Sequence, residues 1–239
     1  RVQNIKNLKD AKCLLCCPSE VTQIEREAMR ELALQMGIND VFIEEEIKSG
    51  AIGAGMDIYT ANAAMVIDIG GGTTDVGVLS LRIAGNYIDQ EIVKYVHKTH
   101  NLVIGQKTAE RAKMEIAILS EDEEEKFARV SGRDLVTGLP AATKISSKEM
   151  RKLLLPIFDE VINIVYSVLE QTPPELSADL VDNGIVVNGG GALIGGVQEY
   201  FETTTGLKVR ISNHPLSSIA EGTKYLLKNR GNYLVKVVD

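Results

Sequence analysis

The stretch Asp68-Ile69-Gly70-Gly71-Gly72-Thr73-Thr74-Asp75 concentrates the residue types that a phosphate-binding turn needs. Glycines lack a Cβ, so backbone N–H groups can come up to phosphate oxygens; the hydroxyls of Thr73 and Thr74 add donors. Asp68 and Asp75 repel phosphate, so their chemistry is to hold a divalent cation through water or to bind loop backbone. A triple glycine also serves simply as a tight turn. A second group, Asn188-Gly189-Gly190-Gly191-Ala192-Leu193-Ile194, follows an apolar strand pattern and precedes a helical one. There the backbone can lie flat against a ligand. Neither group has the strand–helix context of G-x-G-x-x-G, and no G-x-x-x-x-G-K-[ST] occurs, so phosphate binding would need a different fold. Glu44-Glu45-Glu46 reads either as a solvated acidic patch or as a source of a site carboxylate. Glu110 and Lys113, three apart on one helix face, read either as a surface ion pair or as ligand contacts.

The elements that must position these residues follow from periodicity and punctuation. Residues 12–17 read as a strand stopped by Pro18. Ser19 then caps a helix over 20–36, in which Ile24, Ala28, Leu32 and Met36 form one apolar stripe. After Gly37 the strand 41–43 completes a parallel strand–helix–strand unit, and a small-residue helix covers 47–54. Residues 64–69 and 76–79 read as the arms of a hairpin about the triple glycine. Helical patterns cover 87–97 and 108–119, an acidic loop 120–126, and short strands with a Gly-Leu-Pro turn 127–139. A long helix over 148–171 stops at Pro173-Pro174. Strands at 185–188 and 208–211 and a helix over 217–228 close the pattern.

At 239 residues the chain can hold one large domain or two lobes. Its net charge of −7 lacks the basic face of a nucleic-acid binder, so nucleic acid is excluded as a partner. No apolar run approaches the roughly 20 residues of a membrane span, and the first residues carry no secretory-signal pattern. Cys13, Cys16 and Cys17 share one apolar stretch and read as small buried strand residues in a reducing cytoplasm. His97, His100 and His214 have no metal-ligand spacing and read as surface or loop residues.

The 68–75 turn resembles the second phosphate motif of the superfamily that contains actin, sugar kinases and the 70-kDa heat-shock chaperones, and 188–192 resembles its adenosine motif. Within that superfamily the chain is similar to the bacterial actin homologues of the MreB family, with features of the spiroplasma branch. Glu45-Glu46 with Ala51-Ile52-Gly53-Ala54-Gly55 carries this likeness, as do Ile104-Gly105 with Thr108-Ala109-Glu110-Arg111 and Gly132-Arg133-Asp134 with Thr137-Gly138-Leu139-Pro140. Thr172-Pro173-Pro174-Glu175-Leu176 extends it, and these stretches keep their order over nearly the whole chain.

The resemblance implies an actin-like, ribonuclease H-like α/β fold of two lobes with mixed sheets flanked by helices, its N-terminal portion missing. Residues 1–56 and 215–239 would belong to the first lobe, 57–100 and 149–214 to the second, and 101–148 to a small insert. It implies Glu46 and Thr73 as the catalytic residues, with Glu46 orienting the attacking water, and Asp68 as the metal contact through water. ATP or ADP with Mg2+ would lie against Gly70, Gly71, Gly72, Thr73 and Gly85 on one side. Glu110, Arg111 and Lys113 would meet the nucleoside, and Gly189, Gly190, Gly191 and Ala192 would close the other side. ATP rather than GTP is inherited from the resemblance alone. The implied function is a cytoskeletal ATPase whose copies add head to tail into paired filaments on the inner membrane surface, with membrane-associated partners, for cell shape or motility. A non-hydrolysing nucleotide-binding scaffold is the alternative, ahead of a kinase or a chaperone ATPase of the same superfamily.

The chain also departs from the pattern. Ile47-Lys48 stand where most relatives have Pro-Met, which frees a backbone N–H and brings a cation toward Glu46. The first phosphate loop would lie upstream of Arg1. A return strand of about ten residues is expected between Leu81 and Arg82, and without it the hairpin would have an unpaired edge.

Overall fold

The computed structural model describes residues 11–56, 63–77, 79–81, 84–121 and 124–229, with 79–81 entering only through their backbone pairing. In the first unit, strand β1 (Lys12–Cys17) and strand β2 (Asp40–Glu45) pair in parallel around helix α1 (Gln23–Gln35), and helix α2 (Glu46–Gly53) follows directly. α1 starts later than its sequence pattern suggests. Thr22 rather than Ser19 is the N-cap, in a reciprocal box with Glu25, which satisfies two otherwise orphan donors. Its apolar stripe turns outward: Ile24 is 83% exposed and Leu32 and Met36 are each 61% exposed. Of the three cysteines only Cys17 is buried; Cys13 and Cys16 are half-buried, and the Cys16 thiol meets the hydroxyls of Ser49 and Thr223.

The second unit is a five-stranded mixed sheet. Strand β3 (Met65–Ile69), strand β4 (Thr74–Val76) and strand β5 (Leu79–Leu81) pair antiparallel in succession. This corrects two expectations. The second hairpin arm does not run straight on from Val76, because Gly77, at φ +55, turns the chain there. A return strand therefore exists on the described chain and pairs the edge of β4. The expected junction beyond Leu81 involves Arg82, which lies outside the described residues.

Helix α3 (Gly85–His100), strand β6 (Leu102–Val103), helix α4 (Gln106–Ile116), strand β7 (Phe127–Asp134) and strand β8 (Pro140–Ser146) come next; β6, β7 and β8 form a separate antiparallel sheet. Helix α5 (Ser147–Gln171) is capped by Ser146 and Glu149. Helix α6 (Pro174–Asn183) carries no counterpart in the sequence reading, though Pro174 at its first turn is well suited to start one. Strand β9 (Ile185–Asn188), helix α7 (Val197–Thr205), strand β10 (Val209–Ile211) and helix α8 (Ser218–Lys228) complete the described chain. The large sheet has the order β10-β9-β3-β4-β5, with β9 parallel to both β3 and β10. His100 is not a free surface residue: its imidazole pairs with Glu149 across α3 and α5 and meets the Tyr95 ring edge-on.

Alternation along β3 organises the rest. Met65, Ile67 and Ile69 enter the main core with Ile185 and Val187 of β9 and with α3, α5 and α7. Val66 points the other way and packs on Ile47 and Ala51 of α2. By the two-residue period of a strand, Asp68 shares the α2-facing side with Val66. α2 is in turn clasped by α8 through backbone contact. A Cβ on Gly53 would lie 1.7 Å from the Ser218 carbonyl oxygen, and one on Gly222 1.8 Å from that of Ser49.

Candidate phosphate-binding site

The two glycine turns leave the C-terminal ends of the adjacent parallel strands β3 and β9, so a fold built for other reasons brings them together. Asp68 and Asn188 are register partners across this pair, and Asp75 is Asp68's partner across β3–β4. Paired residues share a face. Three polar side chains thus project toward α2 from three neighbouring strands, and all three are buried. Opposite them Glu46 opens α2.

Electrostatics in this group are dominated by the mutual repulsion of its carboxylates. Burial, then Asp75, then Glu46 push Asp68 up to about 7. Burial and the Asp75 carboxylate push Glu46 above the ordinary glutamate range. The acidic run divides by partner: Lys48 Nζ is 2.6 Å from Glu44, and Arg26 is 3.2 Å from Glu45. Glu46 has no cationic partner among the described residues. The lysine expected to bring charge toward Glu46 is therefore neutralised one turn away on Glu44. A raised proton affinity at a partly exposed carboxylate suits a group that accepts a proton from water.

Asp68 Oδ2 and Asn188 Oδ1 are buried acceptors without a donor among the described residues. The amide of Asn188 is held by its Nδ2 donating to the Gly50 carbonyl at 3.0 Å. Buried acceptors left open in this way call for a water or a hydrated cation. No three His, Cys, Asp or Glu groups among the described residues converge as direct metal ligands.

The turn itself is closed by Gly70 N–H donating to the Thr73 carbonyl at 3.0 Å, which leaves Gly71 and Gly72 exposed at its tip. The Thr73 hydroxyl reaches Asp75 at 3.4 Å. α3 docks on the turn by its first N–H groups: Gly85 donates to the Gly70 carbonyl at 3.1 Å and Asn86 to that of Gly71 at 2.8 Å. On the other side Gly189, at φ +79, packs onto the Ile69 carbonyl and Asp68 Oδ1, and Gly191 packs onto the Ile69 side chain. Gly190 to Leu193 form a single 3-10 turn with Ala192 buried.

The three α4 residues separate. Lys113 reaches the turn's neighbour, donating to the Gly85 carbonyl at 3.1 Å and pairing with Asp89 at 2.8 Å. Arg111 instead donates to the Arg129 carbonyl of β7, and Glu110 stands exposed. The Glu110–Lys113 surface pair, one of the two readings of these residues, does not form; Lys113 pairs with Asp89 instead. Asp89 and Gly50 carried no signal in the sequence; an acidic residue inside a helical pattern looks the same whether it is solvated or buried.

This fold is that of an actin-like protein, with two glycine turns meeting on a mixed sheet. The MreB/Mbl protein family model matches residues 1–234, and the chain belongs to that family. The chain is similar to the cell shape-determining protein Mbl of Bacillus subtilis (strain 168), 38% identical over 236 residues that cover 95% of this chain and 71% of that one. It is likewise 38% identical to the cell shape-determining protein MreB of Escherichia coli (strain K12), over 220 residues, 88% of this chain and 63% of that one. The crystal structure of MreB 5 of Spiroplasma citri bound to AMPPNP superposes with a TM-score of 0.90 at 43% identity, covering 94% of this chain and 70% of that one. A MamK double helical filament shares the fold, with a TM-score of 0.77 at 20% identity over 93% of this chain and 69% of that one.

Proposed function

We propose that this chain is the nucleotide-binding body of a cytoskeletal filament subunit that binds ATP and hydrolyses it slowly. The observation that carries the reading is the meeting of two glycine turns at the ends of β3 and β9, with Glu46 facing them and lacking a cationic partner among the described residues. The likeness to MreB 5 of Spiroplasma citri, solved with AMPPNP and with ADP, supports nucleotide binding. Gly70 to Thr73 would take the phosphates, Gly85 would back them, and Lys113 and the 189–192 turn would enclose the nucleoside, with Glu110 and Arg111 at its edge. Mg2+ would be held through water by Asp68, where it would neutralise phosphate charge. Glu46 would orient a water beside Thr73 and take its proton, since phosphoryl transfer to water needs positioning more than covalent help. The lobe and insert boundaries proposed from the sequence go with this reading.

Self-association is supported by exposed apolar residues at opposite ends of the chain. The tip of the β7–β8 hairpin, with Leu135, Val136 and Leu139 exposed, lies at the far end of α3, where Leu135 N–H meets the Asn101 carbonyl. α6, with Leu176 and Val181 exposed, lies at the N-terminal ends of β3 and β9, where Asp179 accepts the Ala63 N–H. Unlike patches at two ends make a heterologous contact that propagates into a filament. The outward stripe of α1 offers a separate lateral face for pairing. No helix among the described residues is long and apolar enough to cross a membrane; attachment to the inner membrane surface would be peripheral.

The test is pelleting and phosphate release with ATP and with ADP. ATP should lower the concentration at which polymer forms. Glu46→Ala should retain nucleotide binding and lose about a hundredfold in phosphate release. Unchanged release in that variant would leave a filament scaffold that binds without hydrolysing. A protein that stays monomeric with either nucleotide at every concentration would overturn the filament reading.

A further inference from the structure

Polar contacts join the phosphate turn to helix α4, and α4 in turn meets strand β7 of the insert where Arg111 donates to the Arg129 carbonyl. The first contact is backbone: the N–H groups of Gly85 and Asn86 donate to the carbonyls of Gly70 and Gly71. The second is Lys113 of α4, whose ammonium donates to the Gly85 carbonyl at 3.1 Å. The third is Asp89, one turn into α3, whose Oδ1 lies 2.8 Å from the same ammonium. The space is tight as well as polar. A Cβ on Gly85 would stand 3.3 Å from the Gly70 carbonyl oxygen and 3.4 Å from Lys113 Nζ.

Asp89 is the unusual member. It is 3% exposed, and Lys113's side chain is 15% exposed, so this is an interior ion pair. Burying two charges is costly and is offset only when geometry and hydrogen bonds are good. Here the approach is close, with the ammonium 2.8 Å from Asp89 Oδ1. The ammonium is shared between the Gly85 carbonyl and the Asp89 carboxylate. A shift of the Gly70–Gly71 carbonyls would move the Gly85 peptide and with it one of the ammonium's two partners. α4, which carries Lys113, would follow, with Asp89 holding the ammonium in place.

Resting on the ATP reading above, we propose that Asp89 is a positioning residue that, through Lys113, makes the orientation of the insert follow the state of the phosphate turn. Because the hairpin tip of that insert is an exposed contact surface, the nucleotide state then reaches the filament contact. This is a coupling between two sites and therefore reciprocal: polymer must bias nucleotide affinity by the same factor.

The experiment measures, in wild-type protein, Asp89→Asn, Lys113→Arg and the charge-free double variant Asp89→Asn/Lys113→Gln, the affinity for fluorescent ATP and ADP analogues and the critical concentration for polymer in each nucleotide. Melting curves report folding; the double variant removes both buried charges together, so no lone charge is left inside if the single variant unfolds. The expected result is that the ratio of ADP to ATP critical concentrations collapses toward one in the Asp89 variants, whereas in Asp89→Asn alone the affinity for each nucleotide falls by no more than about threefold. Lys113→Arg, which keeps the charge, retains most of the ratio. A ratio that survives in folded Asp89→Asn/Lys113→Gln overturns the proposal. So does a wild-type protein that binds nucleotide yet polymerises equally in both states. A wild-type protein that binds neither analogue overturns the ATP reading instead.

Discussion

The two glycine turns look alike in sequence and differ in what their glycines are for. At Gly71 and Gly72 an added Cβ would meet nothing within 4 Å, and neither residue has a positive φ. At Gly189 the same atom would lie 2.3 Å from the Ile69 carbonyl oxygen on a backbone at φ +79, and at Gly191 it would lie 2.2 Å from the Ile69 side chain. The chain itself therefore requires glycine in the second turn and has no internal need for it at the tip of the first. Open glycines that the fold does not use are the ones left for a ligand to approach. The second turn is part of the scaffold, holding β9 against β3 so that Asp68, Asp75 and Asn188 share a face.

The sharpest way to break this distinction is to add the same methyl group to each turn. Gly189→Ala combines left-handed strain with a backbone collision, and should cost more than about 3 kcal/mol, read as a drop in the thermal or urea midpoint without any ligand present. Gly71→Ala should change stability by less than about 0.5 kcal/mol, in line with exposed positions. It should nevertheless weaken nucleotide binding about tenfold, measured by titration of a fluorescent analogue. If both variants lose stability alike, the first turn is scaffold too, and its glycines say nothing about a ligand.

The distinction was only half legible from the sequence. Both turns could be found, because glycine runs after apolar segments are local signals. Which glycine meets Ile69 and which meets solvent depends on β3 lying beside β9, a pairing across more than a hundred residues that no window contains. The same limit explains the other differences. The stripe Ile24, Ala28, Leu32 and Met36 has helical spacing, but spacing reports a face and not what covers it. Gly77 reads as a small residue within a strand until its φ of +55 turns the chain into β5. His100 and Asp89 find partners from elements 49 residues away in one case and from a different helix in the other. The element types were legible where periodicity was long, as in α5, whereas the α/β class came with the resemblance. The buried Lys113–Asp89 pair was not legible.

The smallest expected effect tests the proposal that the first turn takes a cation. Asp68 and Asp75 face each other across β3 and β4 inside the protein, and Asp68's folded proton affinity is set at about 7 against an ordinary aspartate value of 3.8. Since the folded form holds its proton more tightly than the unfolded chain, the stability associated with this group is fully present below about pH 4. It is then lost as the pH rises through about 7. In chelator without nucleotide, the melting midpoint of the wild type should therefore decline from mildly acidic to neutral pH more steeply than that of Asp68→Asn, which has the same shape and no proton to lose. Added Mg2+ with nucleotide should remove the difference in slope, because a hydrated cation at Asp68 takes over the neutralising role of the proton. Parallel slopes for the two proteins in chelator would mean that the Asp68–Asp75 repulsion is already relieved within the chain. The open acceptors at Asp68 Oδ2 and Asn188 Oδ1 would then call for no more than a buried water, and the second turn would be holding a polar scaffold with no demand for a cation.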